Sequence, residues 1–374
     1  MGQPYISVIV TAYNRRRYLP FALRSLEAQM LPRDRFEVVV VKNFDDKESD
    51  GIISRNCWKD VYNDDPYHGR MVLAGLEESR GEIITFLDDD DMYTDNRLEE
   101  VYKAFTSFKR LVYFHNSQAI IDENGNVLER PSLSKNLAGG SPIVIDVDKL
   151  RELVKRYNVS VADLVLNKIR VRADFNNSSV AVRRHIVESH AQLLKRLPAS
   201  IDAFVLVSSL KAGGLMYFTD ERLTLYRVHG ENWSYYVQIA RSRSNEARLK
   251  RARALILVIK TFGLIGSMLL DGNINRYLCL ERLNKGALLL LPLPELGTLP
   301  PELRLSLSDV KLALRCYKVG AEDLVDVIFV MGSALLSPLL ASPRGRLVIG
   351  KLVEGVVEAL TTKRSLKRER ESVR

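Results

Sequence analysis

Four consecutive carboxylates, Asp88 to Asp91, follow the apolar run Ile83–Leu87. Unneutralised, such a string repels itself, and ending a buried strand with it gains nothing for stability. A hard divalent cation resolves the repulsion, because Mg²⁺ or Mn²⁺ takes carboxylate oxygens and bridges to substrate phosphates. Held there, it would act as a Lewis acid on a diphosphate leaving group. The structural alternative is an acidic loop capping the next helix, since carboxylates favour helix N-termini. Asp202 opens the apolar stretch Ile201–Leu210. Aspartate in a first helical turn is an ordinary dipole partner, with a lowered pKa. His229 is one of five histidines, and a lone histidine in a loop ordinarily serves the structure. Arg70, after His68 and Gly69, could meet a phosphate or a base, and suits solvent equally well.

These residues need elements to position them. Ile6–Val10, Phe36–Val41 and Ile83–Leu87 are short, continuous and β-branched, as buried parallel strands are. Leu19, Leu23, Leu26 and Met30 recur at helical steps, as do Leu98, Val101, Tyr102 and Phe105 behind a Thr94 or Asp95 cap. Strands alternating with helices predict an α/β sheet whose ligands sit beyond the carboxyl ends of its strands. Asn124-Gly125 predicts a tight turn joining Ser117–Ile121 to Val127–Leu128. Ser179–Arg183 reads as a further strand and Ile201–Leu210 as a buried helix, while residues 146–171 read as mixed helix and loop.

The net charge of +9 is unevenly placed. Residues 236–374 carry 23 Lys and Arg against 13 Asp and Glu, whereas residues 1–235 carry 32 against 33. The same third holds the apolar runs Ala254–Leu270, Ala287–Leu293 and Val327–Ala341, none a clean membrane-crossing span. Interfacial helices beside a basic flank fit this pattern, and so does a bundle packed on itself. Of the polyanions such a region could meet, an anionic membrane surface is expected and a nucleic acid is not. Cys57, Cys279 and Cys316 are far apart and odd in number, which reads as unlinked thiols in a reducing setting. With no leader visible at the N-terminus, a cytoplasmic protein is expected, peripheral on the inner face of the membrane.

Taken together, Ser7-Val-Ile-Val-Thr-Ala-Tyr-Asn14, Phe36-Glu-Val-Val-Val-Val41 and Arg80-Gly-Glu-Ile-Ile-Thr-Phe-Leu-Asp-Asp-Asp-Asp91 resemble the inverting family-two glycosyltransferases of the GT-A fold. Leu223-Thr-Leu-Tyr-Arg-Val-His-Gly-Glu-Asn-Trp-Ser234 resembles that family's closing segment. The resemblance implies a mixed, mostly parallel sheet flanked by helices over residues 1–235; it leaves residues 236–374 unexplained, and their own apolar and basic patterning reads as a mainly helical region. The resemblance implies a nucleotide-sugar donor, while the basic C-terminal third, held at a membrane, would bring the site to a glycan or polyprenol-linked acceptor. Asp88 and Asp90 match the family's Asp-x-Asp pair, the first on the donor's ribose and the second on metal and diphosphate. Asp89 lies between them on the donor side, and Asp91 matches the carboxylate that often follows, a further ligand of the metal. Thr11, Ala12, Tyr13 and Asn14 fall on the loop expected after the first strand, where the family lines its nucleotide pocket. Asn43 and Arg70 join that donor-binding set. Asp202 matches the general base, and His229 a histidine that completes the metal site.

Two departures stand out. The chain reads Lys42-Asn-Phe-Asp-Asp46 where the family places acidic residues for the base and ribose. A lysine accepts no hydrogen bond, so base recognition is altered or moves to Asp45 or Asp46. Ile201 replaces the Glu of the family's Glu-Asp pair. Two other functions are consistent with parts of the chain. Nucleotidyl transfer would want a glycine-rich phosphate loop, which Thr11 to Asn14 lacks. An inactive glycan-binding module would gain nothing from four unneutralised carboxylates.

Overall fold

The computed structural model describes residues 3–128, 142–155, 176–230, 232, 244–268, 276–318 and 324–351. The chain divides into two compact units, Met1–Gly230 with Leu264–Asn275, and Glu231–Gly263 with Arg276–Arg374.

In the first unit, one sheet contains β1 (Ile6–Ala12), β2 (Phe36–Lys42), β3 (Lys59–Tyr62), β4 (Ile83–Asp88), β5 (Met92–Tyr93), β6 (Leu111–Ile121), β7 (Ile143–Asp146), β8 (Val180–Arg183) and β9 (Leu215–Arg227). Their order is β3-β2-β1-β4-β8-β6-β9-β5, with β7 against β9. β1 pairs in parallel with β2 and β4, as do β2 with β3 and β6 with β9; the remaining pairs are antiparallel. The mixed, mostly parallel sheet implied by the sequence is therefore present. Its central strands are apolar on both faces because helices cover both. On one face α1 (Leu19–Glu27), α2 (Lys47–Arg55) and α4 (Arg97–Ser107) pack on Val8, Val10, Val38 and Val40. On the other lies α3 (His68–Glu78), where a Cβ at Gly75 would come within 2.5 Å of Ile9.

The chain leaves β1 towards β2 and β3, then returns to place β4 on the other side of β1. That reversal is a topological switch point, the crevice in which open α/β sheets take ligands. Register aligns Thr11 with Asp88 and Ala12 with Lys42, so three strands end together there.

Several expectations shift. β1 continues through Thr11 and Ala12, which are buried strand residues rather than loop, because β2 and β4 pair with it to that point. α1 stops at Glu27; Met30 is 62% exposed and Leu31 takes the buried place. Asn96, not Thr94 or Asp95, precedes α4. The turn at Gly125 exists, with φ of 91°, but the return strand is a single bridge from Ile121 to Val127. β6 instead finds β9 as its long parallel partner. Val147–Lys155 is α5, and the rest of 156–171 lies outside the described residues. Then come α6 (Arg184–Glu188), α7 (Ala191–Leu194) and α8 (Ile201–Ala212), the last buried as expected.

The helical region holds α9 (Asn245–Met268), α10 (Arg276–Leu289), α11 (Leu307–Lys318), α12 (Leu324–Leu340) and a last helical stretch over 343–351. Ala252, Leu255 and Ile259 of α9 pack with Leu288, Ala313 and Val330 in the core of the second unit. Leu255 and Ile259 of the Ala254–Leu270 run are thus bundle core rather than an interfacial surface. No helix among the described residues is long and apolar enough to cross a membrane. Cys57 is free but Cys279 is disulfide-bonded, correcting the reading of three unlinked thiols. Linear spacing cannot report which helices tertiary packing brings together.

The N-terminus of α3 is set by a close backbone contact. His68 and Gly69 donate their amides to the carbonyls of Pro198 and Leu197. A Cβ on Gly69 would stand 2.0 Å from the Leu194 carbonyl oxygen, which no rotamer relieves. Gly69→Ala should therefore lower stability by about 1–3 kcal/mol, the usual range for overpacking. Urea unfolding measures it, and an unchanged midpoint would mean that the two segments do not meet this tightly.

Candidate active site

Each carboxylate of the acidic string has a different environment, because β4 ends at Asp88 and the chain turns sharply into β5. Asp88 is the most open of them, with 30% of its side chain exposed. Its amide donates to Ser178 Oγ at 3.0 Å, and Asn177 Nδ2 donates to its Oδ1 at 3.1 Å. His68 Nε2 lies 3.8 Å from that oxygen and 3.1 Å from Thr11 Oγ1. Asp89 is buried and takes Arg15 Nε at 2.9 Å. Asp90 Oδ2 meets Arg15 Nη2 and His229 Nε2, each at 2.9 Å. Asp91 is held from within: Asn176 and Ser178 donate to Oδ2 at 2.9 and 2.7 Å, and the Arg227 amide to Oδ1 at 3.1 Å.

The electrostatics follow from this division. Burial pushes Asp88 up to about 6, and the charge of Asp90 adds to the effect. Burial also raises Asp89, to about 7, against the pull of Arg15. Asp91 lies well above the usual carboxylate range through burial and then through Asp90 and Asp88. Burial opposes ionisation of Asp90 as well, but Arg15 and His229 outweigh it and hold that carboxyl below its ordinary value. Negative charge is thus focused on Asp90. Desolvation pushes His68 down to about 4, so its imidazole is neutral at neutral pH.

Three remote segments converge on the string. The loop after β1 supplies Arg15; the turn before β8 supplies Asn176, Asn177 and Ser178; the segment closing β9 supplies Arg227 and His229. Arg227 is buried, donates to the carbonyls of Asp90, Asp122 and Glu123, and lies over the Tyr18 ring. Tyr18 also packs against His229, with ring centroids 4.7 Å apart.

Of the expected donor-side residues, Asn14 and Asn43 lock the first two strand ends together. Asn43 Oδ1 accepts from the Asn14 amide and its Nδ2 donates to Asn14 Oδ1, both at 2.8 Å. Asn14 has a φ of 57°, a left-handed conformation that asparagine tolerates. Tyr13 beside it is exposed. Arg70 instead bonds Asp65 and the Lys195 carbonyl and lies over Tyr67. Lys42 is buried, its Nζ 2.9 Å from Asp60 and 3.1 Å from Asp50, and it donates to the Phe44 carbonyl. Asp46 caps α2 by accepting from the Ser49 amide, while Asp45 stays exposed. Asp202 lies in the first turn of α8, where its Oδ1 accepts from the Ala203 amide at 2.8 Å. The segment just before it is the one bonded to the His68 end of α3. Trp233, a candidate for stacking on a sugar, lies outside the described residues.

Sequence reasoning missed Arg15, His68, Asn177, Ser178 and Arg227 as site residues. A signal existed for the first: Arg15-Arg-Arg17 follows a strand that runs beside one ending in four aspartates.

Among the described residues no three His, Cys, Asp or Glu side chains form a ready metal cage. Mg²⁺ commonly takes only one or two carboxylates, with waters and substrate phosphates completing its shell. The donor set here fits that demand. Asp90 and His229 share one contact, and Asn177 Oδ1 beside Asp88 is buried without a hydrogen-bond partner.

Residues 7–142 match the sequence family described as Glycosyl transferase family 2. Over 144 residues the chain is 28% identical to an uncharacterized glycosyltransferase of a Nostoc species, covering 36% of this chain and 44% of that one. Over 145 residues it is 30% identical to an uncharacterized glycosyltransferase of Haemophilus influenzae, covering 37% and 56%. The match thus spans about half the length of these relatives. A solved structure, S. aureus TarS 1–349 in complex with UDP-GlcNAc, aligns with a TM-score of 0.49 at 14% identity, covering 95% of this chain and 92% of that one.

Arg15 is the main counter-charge of the string, so its loss should expose the repulsion it offsets. Arg15→Ala should cost up to about 3 kcal/mol, the scale of breaking a mostly buried pair. Combined with Asp90→Asn it should cost less than the two singles added, because removing a carboxylate relieves the same repulsion. Urea unfolding of the four proteins measures the coupling, and strict additivity would show that Arg15 does not hold the string.

Proposed function

We propose that this chain, whose residues 7–142 match the family described as Glycosyl transferase family 2, is an inverting, metal-dependent glycosyltransferase using a nucleotide-sugar donor. The observation that carries the reading is the placement of Asp88, Asp90 and His229 at the switch point of the sheet, with negative charge focused on Asp90. Asp88, open and oriented by Asn177, is assigned to the donor's ribose. Asp90 and His229 are assigned to Mg²⁺ or Mn²⁺, which when bound would supply Lewis-acid stabilisation to the departing diphosphate. Asp91 was expected as a further ligand; with both oxygens already accepting hydrogen bonds, it is assigned to holding the turn. Arg15 already faces this charge, and its planar guanidinium suits a phosphate. Lys42 and Asp46 are engaged inside the fold, so Asp45 is the acidic side chain left to read the base.

Asp202 is assigned as the base that takes the proton of the acceptor hydroxyl. The freed oxygen attacks the anomeric carbon opposite the diphosphate, the bond to the diphosphate breaks, and configuration inverts. For the acceptor we favour a lipid-linked glycan or a surface polysaccharide precursor. The supporting feature is the basic C-terminal third, which an anionic membrane surface would attract.

Incubation with a panel of nucleotide sugars and Mn²⁺ tests this reading. Slow release of one nucleoside diphosphate is expected, and silence across the panel would count against a transferase. Asp202→Asn should keep donor affinity and lose turnover by about 100-fold or more, the usual worth of a positioned base. Weakened donor binding with normal turnover at saturation would move Asp202 to the donor side.

A further inference from the structure

Each of the last described helices of the second unit exposes one face. α11 turns Leu307, Lys311, Leu314 and Arg315 outward, which at this spacing share one helix face. The outward positions of α12 are Ile328, Gly332, Leu335, Leu336, Pro338 and Leu339, with no charged residue among them. Its other side, Val327, Val330, Ala334 and Leu340, is buried against neighbouring helices. The stretch 343–351 exposes Arg344, Val348 and Lys351, again one face. Leu307, Leu335 and Val348 are 72%, 69% and 60% exposed. No exposed residue described between 306 and 351 is acidic: Asp309 is buried against Arg282, and Asp326 is half-buried.

A helix facing water ordinarily carries its polar residues outward. Here, Ser308 and Gly332 apart, the outward positions carry aliphatic side chains interleaved with cations. We propose that α11, α12 and the 343–351 stretch form the surface by which this protein lies on an anionic lipid bilayer. The aliphatic side chains would enter the acyl boundary while Lys311, Arg315, Arg344 and Lys351 reach the lipid phosphates. This rests on the membrane-associated reading above and names the helices responsible. It excludes α9, whose apolar side is already core.

Charge decides among occupants. A second copy seated on this face would bring cations against cations, and interfaces between copies are depleted in lysine at their cores. A nucleic acid would be met by aromatic side chains that stack on bases, and no exposed residue of the set is aromatic. With no helix able to span, in-plane binding is the mode that the described helices support.

Flotation of the full chain with vesicles tests this, using phosphatidylcholine alone and mixed with phosphatidylglycerol. The wild type should float with the mixed vesicles only and be released by high salt. Ile328→Gln, Leu335→Gln and Leu339→Gln combined should reduce the vesicle-bound fraction at least about tenfold, as expected from losing three inserted side chains. Donor hydrolysis and the unfolding midpoint should stay near wild type. As a second readout, a single Leu335→Trp should show blue-shifted emission on adding mixed vesicles. A triple variant that floats like wild type, or a Trp unmoved in vesicles that do carry the protein, overturns the assignment while membrane association stands. A wild type that stays at the bottom of the gradient overturns membrane association itself. A wild-type dimer that the triple substitution dissociates gives the face to a second copy instead.

Discussion

Four carboxylates on one strand end form the constraint around which the first unit is arranged. Two like charges 4 Å apart repel by about 4 kcal/mol even at an effective dielectric of 20. A domain's whole margin of stability is only about 5–15 kcal/mol, so Asp88 to Asp91 cannot stand together unpartnered. The fold answers by giving each a separate fate. Asp91 is absorbed into the turn by Asn176, Ser178 and the Arg227 backbone. Asp89 is neutralised by Arg15, and Asp90 shares Arg15 with His229. Asp88 is left the most open. Segments far apart in the chain must meet for this to happen, which ties the β1 loop, the β8 turn and the end of β9 to one point.

The same arrangement leaves a site that is anionic where a cation and a diphosphate would be held, and neutral where His68 meets Thr11. At the end of β2 the opposite choice is made. Lys42 is turned inward between Asp50 and Asp60, so it ties the end of β2 to α2 and β3.

Much of this was legible in the sequence, and the limits have physical causes. The central strands and α1, α4 and α8 could be read because buried parallel strands and one-faced helices have strong apolar patterns. The acidic string could be read because it makes no sense structurally. β3 was missed because Lys59-Asp-Val-Tyr62 is a polar edge strand with alternating exposure. β9 was missed because Asp220 to Arg222 interrupts it with charge at a bulge against β6. Arg97 and Arg227 were invisible as core residues, since a buried arginine satisfied by carbonyls and aromatic faces looks like any surface arginine. In the second unit, composition marked apolar runs but could not say which faced inward. Packing assigns α9 to the core and leaves α12 bare on one side.

Under the proposed function, the Asp88 to Asp91 string, through Asp90, would hold a nucleoside diphosphate by way of a divalent cation. Calorimetric titration with UDP and with GDP, in Mn²⁺ and then in chelator, tests it without needing an acceptor. One diphosphate should bind in Mn²⁺, lose at least about tenfold in affinity in chelator, and bind Asp90→Ala equally weakly in both, as expected if the metal carries phosphate binding. Affinity unchanged by chelator and by Asp90→Ala would contradict the account.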